Sequence, residues 1–158
     1  MLKKDREITD PQAVVAALGK ARICHLGMCD GESPYVVPVN FGFEDGKLYF
    51  HSSAKTEGKK LSILARNPKV CFEVTVQAEV KDGERPCDWT THYVSVIGYG
   101  RARILETEDE KLHGLTVLMR HHGGPVEGFR LEVLKKTAVI EITVDSMTGK
   151  SLPGPKKD

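Results

Sequence analysis

His51-Ser52-Ser53 ends one strand-like run, and Gly58-Lys59-Lys60 opens a helix-like one a few residues later, so an imidazole, two hydroxyls and two ammonium groups fall together. That grouping suits a phosphate dianion. Unpaired N–H groups at a helix start, the positive end of its dipole and nearby ammonium groups all favour a bound anion. The same lysines fit equally well as the solvated edge of an amphipathic helix, and the residues alone leave both readings open. Side chains of helix neighbours diverge by ~100°, so one of Lys59 and Lys60 reaches an anion while the other faces solvent. His51 can give or take a proton near neutral pH, or serve as a neutral strand histidine bonded to backbone.

Other polar clusters carry less chemistry. His121-His122 are sequence neighbours, which point to different helix faces, and no cysteine or carboxylate cluster accompanies them. No metal is expected. His25, His92 and His113 are isolated and read as structural or surface residues. Cys24, Cys29, Cys71 and Cys87 lack the paired spacing of a zinc ribbon or a redox dithiol, and Cys24 and Cys71 read as small strand residues rather than disulfide partners.

The elements that must position these groups fit within one domain, 1–158, since 158 residues with 40% hydrophobic and 28% charged content suffice for one enclosed core. The formal charge of +1 and pI near 7.7 give no electrostatic reason to expect nucleic acid or an anionic membrane as partner. Aromatics at 6% are too few for a base-stacking surface. The opening Met1-Leu2-Lys3-Lys4-Asp5-Arg6-Glu7 is charged and leads into no long apolar run, so neither signal peptide nor membrane span is read and a cytoplasmic location is expected.

Asp10-Pro11 starts a short helix carrying Val14, Val15 and Leu18, which stops at Gly19. Strands follow at 23–28 and 35–43, and Asp45-Gly46 signals a tight hairpin into 47–52. After the helix 58–66 and the Asn67-Pro68 break comes an alternating strand, 70–76, then a polar loop, 78–91, that interrupts the sheet. A long strand, 93–105, contains Gly98 and Gly100, which permit a bend or bulge. Thr107-Glu108-Asp109-Glu110 forms a capping box for a helix ending near Gly123, and a last strand covers 138–144 before a mobile tail, 151–158. About six strands with short helices predict a mainly β fold with α decoration, an antiparallel barrel.

In order along the chain, Pro34-Tyr35-Val36-Val37-Pro38-Val39-Asn40-Phe41, Tyr49-Phe50-His51-Ser52, Gly58-Lys59-Lys60-Leu61, Asn67-Pro68-Lys69-Val70-Cys71-Phe72-Glu73-Val74, Tyr93–Gly100 and Thr148-Gly149-Lys150 resemble the pyridoxamine 5′-phosphate oxidase-like FMN-binding split barrels, within them the nitroimidazole-resistance (Nim) branch. The resemblance implies a six-stranded antiparallel Greek-key split barrel of the FMN-binding type, with short flanking helices, forming a homodimer with FMN at the subunit interface. Flavin contacts are then expected from Val37, Pro38, Val39, Asn40, Phe41, His51, Ser52, Ser53, Lys59, Lys60, Asn67, Trp89 and Ser95, some from the partner. A strand with Pro38 and Asn40 offers an isoalloxazine ring an apolar wall and polar groups, though Pro38 also suits a plain strand edge. Trp89 in a polar loop suits either a cap on the neighbouring subunit's flavin or local packing.

The function expected from this resemblance is an FMN-dependent oxidoreductase of the nitroreductase kind acting on small electron-poor molecules, with His51 as the catalytic candidate. The tail lacks the arginine-rich segment that would hold pyridoxamine phosphate, which disfavours vitamin B6 oxidation. A non-enzymatic flavin- or haem-binding protein, with His121-His122 as the suspected haem residues, is the alternative. No glycine-rich dinucleotide motif identifies an electron donor.

Overall fold

The computed structural model describes residues 4–54 and 58–152, and among these all six long strands expected from the sequence are present, joined by two short ones. The order is β1 (Glu7–Ile8), α1 (Pro11–Lys20), β2 (Ile23–Asp30), β3 (Ser33–Asn40), β4 (Gly42–Glu44), β5 (Lys47–Ser53), α2 (Lys59–Arg66), β6 (Lys69–Lys81), β7 (Thr90–Ile104), α3 (Glu108–His122), α4 (Leu131–Lys135) and β8 (Thr137–Leu152). All pairings are antiparallel, along the path β3-β2-β6-β7-β8-β5-β4, with β1 added to β8. The sheet curls until β3 and β5 touch without pairing, which leaves a seam in the barrel wall.

Local chemistry accounts for the element boundaries. Asp10 Oδ1 accepts from Gln12 N at 2.9 Å ahead of Pro11, and α1 buries Val14, Ala17 and Leu18. Asp45 and Gly46, with φ of 49° and 76°, form a two-residue hairpin with both central residues left-handed, the geometry that matches strand twist. The Thr107–Glu110 capping box is formed at both ends, and Gly123 closes α3 with φ of 72°.

Three boundaries differ from the sequence reading. The strand expected over 35–43 breaks at Phe41, which turns into the core against the His121 ring, 4.7 Å away. The polar loop expected over 78–91 is only 82–89, because β6 and β7 continue outward as a ribbon. Glu79–Lys81 and Thr90–His92 pair only with each other, and a ribbon of mostly exposed polar residues shows no apolar alternation. Ser151 and Leu152, assigned to a mobile tail, pair with Val94 and Tyr93 in β8; residues 153–158 lie outside the described range.

Phe41, Phe50, Phe72, Leu26, Ile140 and Ile142 fill the barrel. A second cluster, Tyr49, Leu105, Val117 and Val139, forms where α3 covers the outer face of β5 and β8. Glu141 is buried at the edge of that cluster. Its Oε2 accepts from Lys47 Nζ and Tyr49 OH, both at 3.1 Å, and its Oε1 from Arg103 at 3.3 Å. Burial alone would raise the Glu141 carboxyl, but the bonds from Lys47 and Tyr49 and the nearby Arg103 charge hold it below its ordinary value of 4.5.

A depressed carboxyl contributes stability above its unfolded value and loses it as pH falls through the folded one. Thermal stability of the wild type should therefore drop as pH is lowered past about 4.5, whereas Glu141→Gln should be less stable at neutral pH, by about 2 kcal/mol, with a shallower acid slope. Melting curves between neutral and acid pH for both proteins would check this; parallel curves would refute it. No helix among the described residues is long and apolar enough to cross a membrane.

Candidate functional site

The seam between β3 and β5 widens into an open groove of about 330 Å³ lined by Ile23, Pro38, Val39, Asn40, His51 and Lys60. Strand ends make it. β3 pairs on one side only, with β2, and β4 is too short to cover β5 beyond Tyr49, so two unpaired edges face each other. Pro38 fits such an edge because it has no N–H to leave unpaired. Asn40 and Ile23 are cross-strand partners, and Asn40 Nδ2 donates to the Arg22 carbonyl at 3.4 Å.

Across the seam β5 supplies His51, and the first turn of α2 supplies Lys60. The Lys60 ammonium lies 5.1 Å from the centre of the Phe50 ring, and no carboxylate among the described residues pairs with it. Burial pushes the Lys60 pKa below its ordinary value. His51 is also lowered, first by burial and then by the Lys60 charge, so it is held neutral in the groove. A half-desolvated cation with no carboxylate partner among the described residues, beside a neutral imidazole, has the charge and geometry to attract an anion.

Lys59 diverges to other work. Its ammonium is 3.5 Å from Asp30 and 4.7 Å above the Tyr35 ring, and Asp30 also takes Arg66 at 2.7 Å. Of the thirteen candidate contacts, the groove gathers Pro38, Val39, Asn40, His51 and Lys60. Val37 packs against the core and Phe41 is fully buried. Ser52 and Ser53 continue β5 beyond the groove, and Asn67 accepts from Lys69 N at 3.2 Å as a turn cap. Trp89 is exposed at the tip of the β6–β7 ribbon, where its Nε1 donates to the Gly83 carbonyl at 3.0 Å. Ser95 sits in mid-sheet between Thr75 and Lys150. Ile23 is the lining residue that sequence reasoning missed; the β2–β3 register, which places it opposite Asn40, is the signal that would have found it.

The histidine pair is engaged elsewhere. His121 Nε2 lies 2.7 Å from the Ala21 carbonyl, and the His122 ring packs edge-on against His121 at 5.3 Å, its buried Nε2 without a hydrogen-bond partner among the described residues. No group of three metal-ligating side chains occurs among the described residues, and all four cysteines are free. Burial pushes the Cys24 thiol up to about 12, as suits a core residue.

The chain belongs to the pyridoxamine 5′-phosphate oxidase family, whose model matches residues 10–151. Within that family the chain is similar to a structure from Bacteroides thetaiotaomicron VPI-5482 described as a candidate 5-nitroimidazole antibiotic resistance protein, at 32% identity over 91% of this chain and 85% of that one, with a TM-score of 0.80. The expected likeness to the nitroimidazole-resistance branch is thereby borne out. Two more distant structures share the fold. They are the flavocytochrome Anf3 from Azotobacter vinelandii, at 21% identity, 96% and 72% coverage and TM-score 0.78, and the FAD and heme binding protein from Mycobacterium smegmatis, at 18%, 97% and 76%, and 0.83. No curated protein matches the chain.

Proposed function

We propose that this protein is an FMN-binding oxidoreductase that reduces small, flat, electron-poor molecules such as nitroimidazole-like nitroaromatics. The observation that carries this reading is the Lys60 ammonium, with no carboxylate partner among the described residues, beside neutral His51 at the seam, in a chain of this family. Lys60 would hold the phosphate. Pro38 and Ile23 would give the ring an apolar wall, while Asn40 and the unpaired β3 edge would meet its polar rim. His51 would orient the bound molecule and accept or return a proton at its ring nitrogen. The flavin, when bound, supplies the electron-transfer chemistry.

A second copy of the chain would complete the groove. Val36, Ile97 and Tyr99 are large apolar side chains left 61%, 44% and 58% exposed on the same sheet face as Pro38, and the protruding ribbon adds exposed Val80 and Trp89. Such a patch favours a twofold homodimer, with the ribbon's Trp89 and the mid-sheet Ser95 available to the partner's site.

The visible spectrum of freshly purified protein, with chromatography of what denaturation releases, tests the reading. A flavin spectrum, released FMN, twice the chain mass in solution and turnover of a 5-nitroimidazole with a chemical reductant are expected. A haem spectrum would transfer the reading to a non-enzymatic binding protein, and protein that takes up no added FMN would refute it.

A further inference from the structure

The geometry points to His25 as a second proton-transferring residue at the mouth of the groove, held by Glu73 and turned toward the same substrate. This rests on the flavin-dependent reading above. His25 pairs across strands with Pro38, and Ile23, two residues earlier on the same face of β2, pairs with Asn40. Ile23, Pro38 and Asn40 all line the groove. Facing partners in an antiparallel pair stand about 4.5–5.5 Å apart at Cβ, so His25 stands beside Pro38, next to the residues that line the groove.

The imidazole is held in one orientation. His25 Nδ1 lies 3.1 Å from Glu73 Oε2, while Thr75 Oγ1 donates to Glu73 Oε1 at 2.6 Å. A carboxylate only accepts, so Nδ1 carries the proton and Nε2 is the nitrogen left to act. Half of the His25 side chain remains exposed. Beside it on the same face of β2, Gly27 carries no side chain between its cross-strand partners Val36 and Cys71, which leaves a gap next to the imidazole.

Two-electron reduction of a nitro group takes two electrons and two protons, breaks one N–O bond and releases water: RNO2 + 2e− + 2H+ → RNO + H2O. The reduced flavin of the proposed reading supplies the electron pair. Burial and Lys60 oppose the charged form of His51, so it can supply at most one of the two protons. His25, with Glu73 as countercharge, can give one from Nε2 to the departing oxygen, keep its Nδ1–H on Glu73, and be recharged by water. The other ionisable groups of this face and groove are Cys29, Lys69, Cys71, Tyr99, Arg101, Lys150, His51 and Lys60. Glu73 and Thr75 are positioning residues.

The test uses FMN-loaded protein reduced with dithionite and mixed without oxygen with a 5-nitroimidazole, flavin reoxidation being followed against pH. His25→Gln should reoxidise about a hundredfold more slowly at saturating nitro compound, with the half-saturating concentration little changed and the pH dependence of the step lost. Glu73→Gln should slow it less than His25→Gln does and keep a pH dependence. FMN content should be unchanged in both. Wild-type rate and profile in His25→Gln would overturn the inference while leaving the flavin reading intact, whereas wild-type protein that binds no FMN overturns both. Long-range 1H–15N spectra of the wild-type holoprotein add an arm independent of variant folding: His25 should be protonated at Nδ1 and its Nε2 signal should move when the nitro compound is added, and an unmoved signal would overturn the proposal.

Discussion

Lys60→Ala should weaken FMN binding by about ten- to a hundredfold, whereas Lys59→Ala should change it by less than about twofold, as follows from the ~1.5–3 kcal/mol of a charge-assisted hydrogen bond. The two lysines are adjacent and chemically identical, so the contrast depends only on where each points. Lys60 faces the groove with no carboxylate partner among the described residues, and its burial already depresses its pKa; a phosphate would supply a countercharge. The Lys59 ammonium is committed to Asp30 and Tyr35 on the other side of the helix. Quenching of flavin fluorescence on titration gives the affinities, and riboflavin, which lacks the phosphate, serves as the control. Its affinity should be nearly the same in wild type and Lys60→Ala. Equal losses of FMN affinity for the two alanine variants would refute the assignment.

Gly98→Ala should destabilise the fold by about 3 kcal/mol, near the upper end for overpacked cores, and lower the melting temperature by about 10 °C. Gly98 is the cross-strand partner of Phe72, whose ring is fully buried above it. A Cβ at position 98 would stand 2.2 Å from Phe72 Cζ, so the ring would have to leave the place it fills in the barrel. Gly19→Ala is the control, because nothing lies within 4 Å of a Cβ there and the position is helical. That variant should be neutral or gain up to about 1 kcal/mol. A melting temperature for Gly98→Ala within two or three degrees of wild type would show that the ring relocates at little cost.

These two cases mark the line between local and distant information. Gly98 and Gly100 read as permission for a bend, and a register shift does occur between Tyr99 and Gly100. Yet the reason both positions exclude side chains comes from elsewhere in the chain. At Gly98 it is the Phe72 ring, and at Gly100 it is the Thr143 carbonyl, which a Cβ would approach to 2.3 Å. The lysine pair behaves similarly. Helical periodicity separates Lys59 from Lys60 by direction but cannot say which direction holds the groove, because Asp30 and Tyr35 reach Lys59 from the β2–β3 hairpin.

By itself the sequence determined the antiparallel strands, the Asp45-Gly46 hairpin, the caps of α1 and α3 and the strand edge at Pro38. Each depends on backbone preferences and alternation within a few residues, so each is written locally. Tertiary structure alone decided that β3 and β5 meet without pairing, that Ile23 joins the groove, that Glu141 is enclosed by Lys47, Tyr49 and Arg103, and that His25 is fixed by Glu73. Those contacts join residues as far as 94 positions apart, as in Lys47 and Glu141. Only the curl and register of the whole sheet bring such groups within hydrogen-bond reach, and no local preference encodes them.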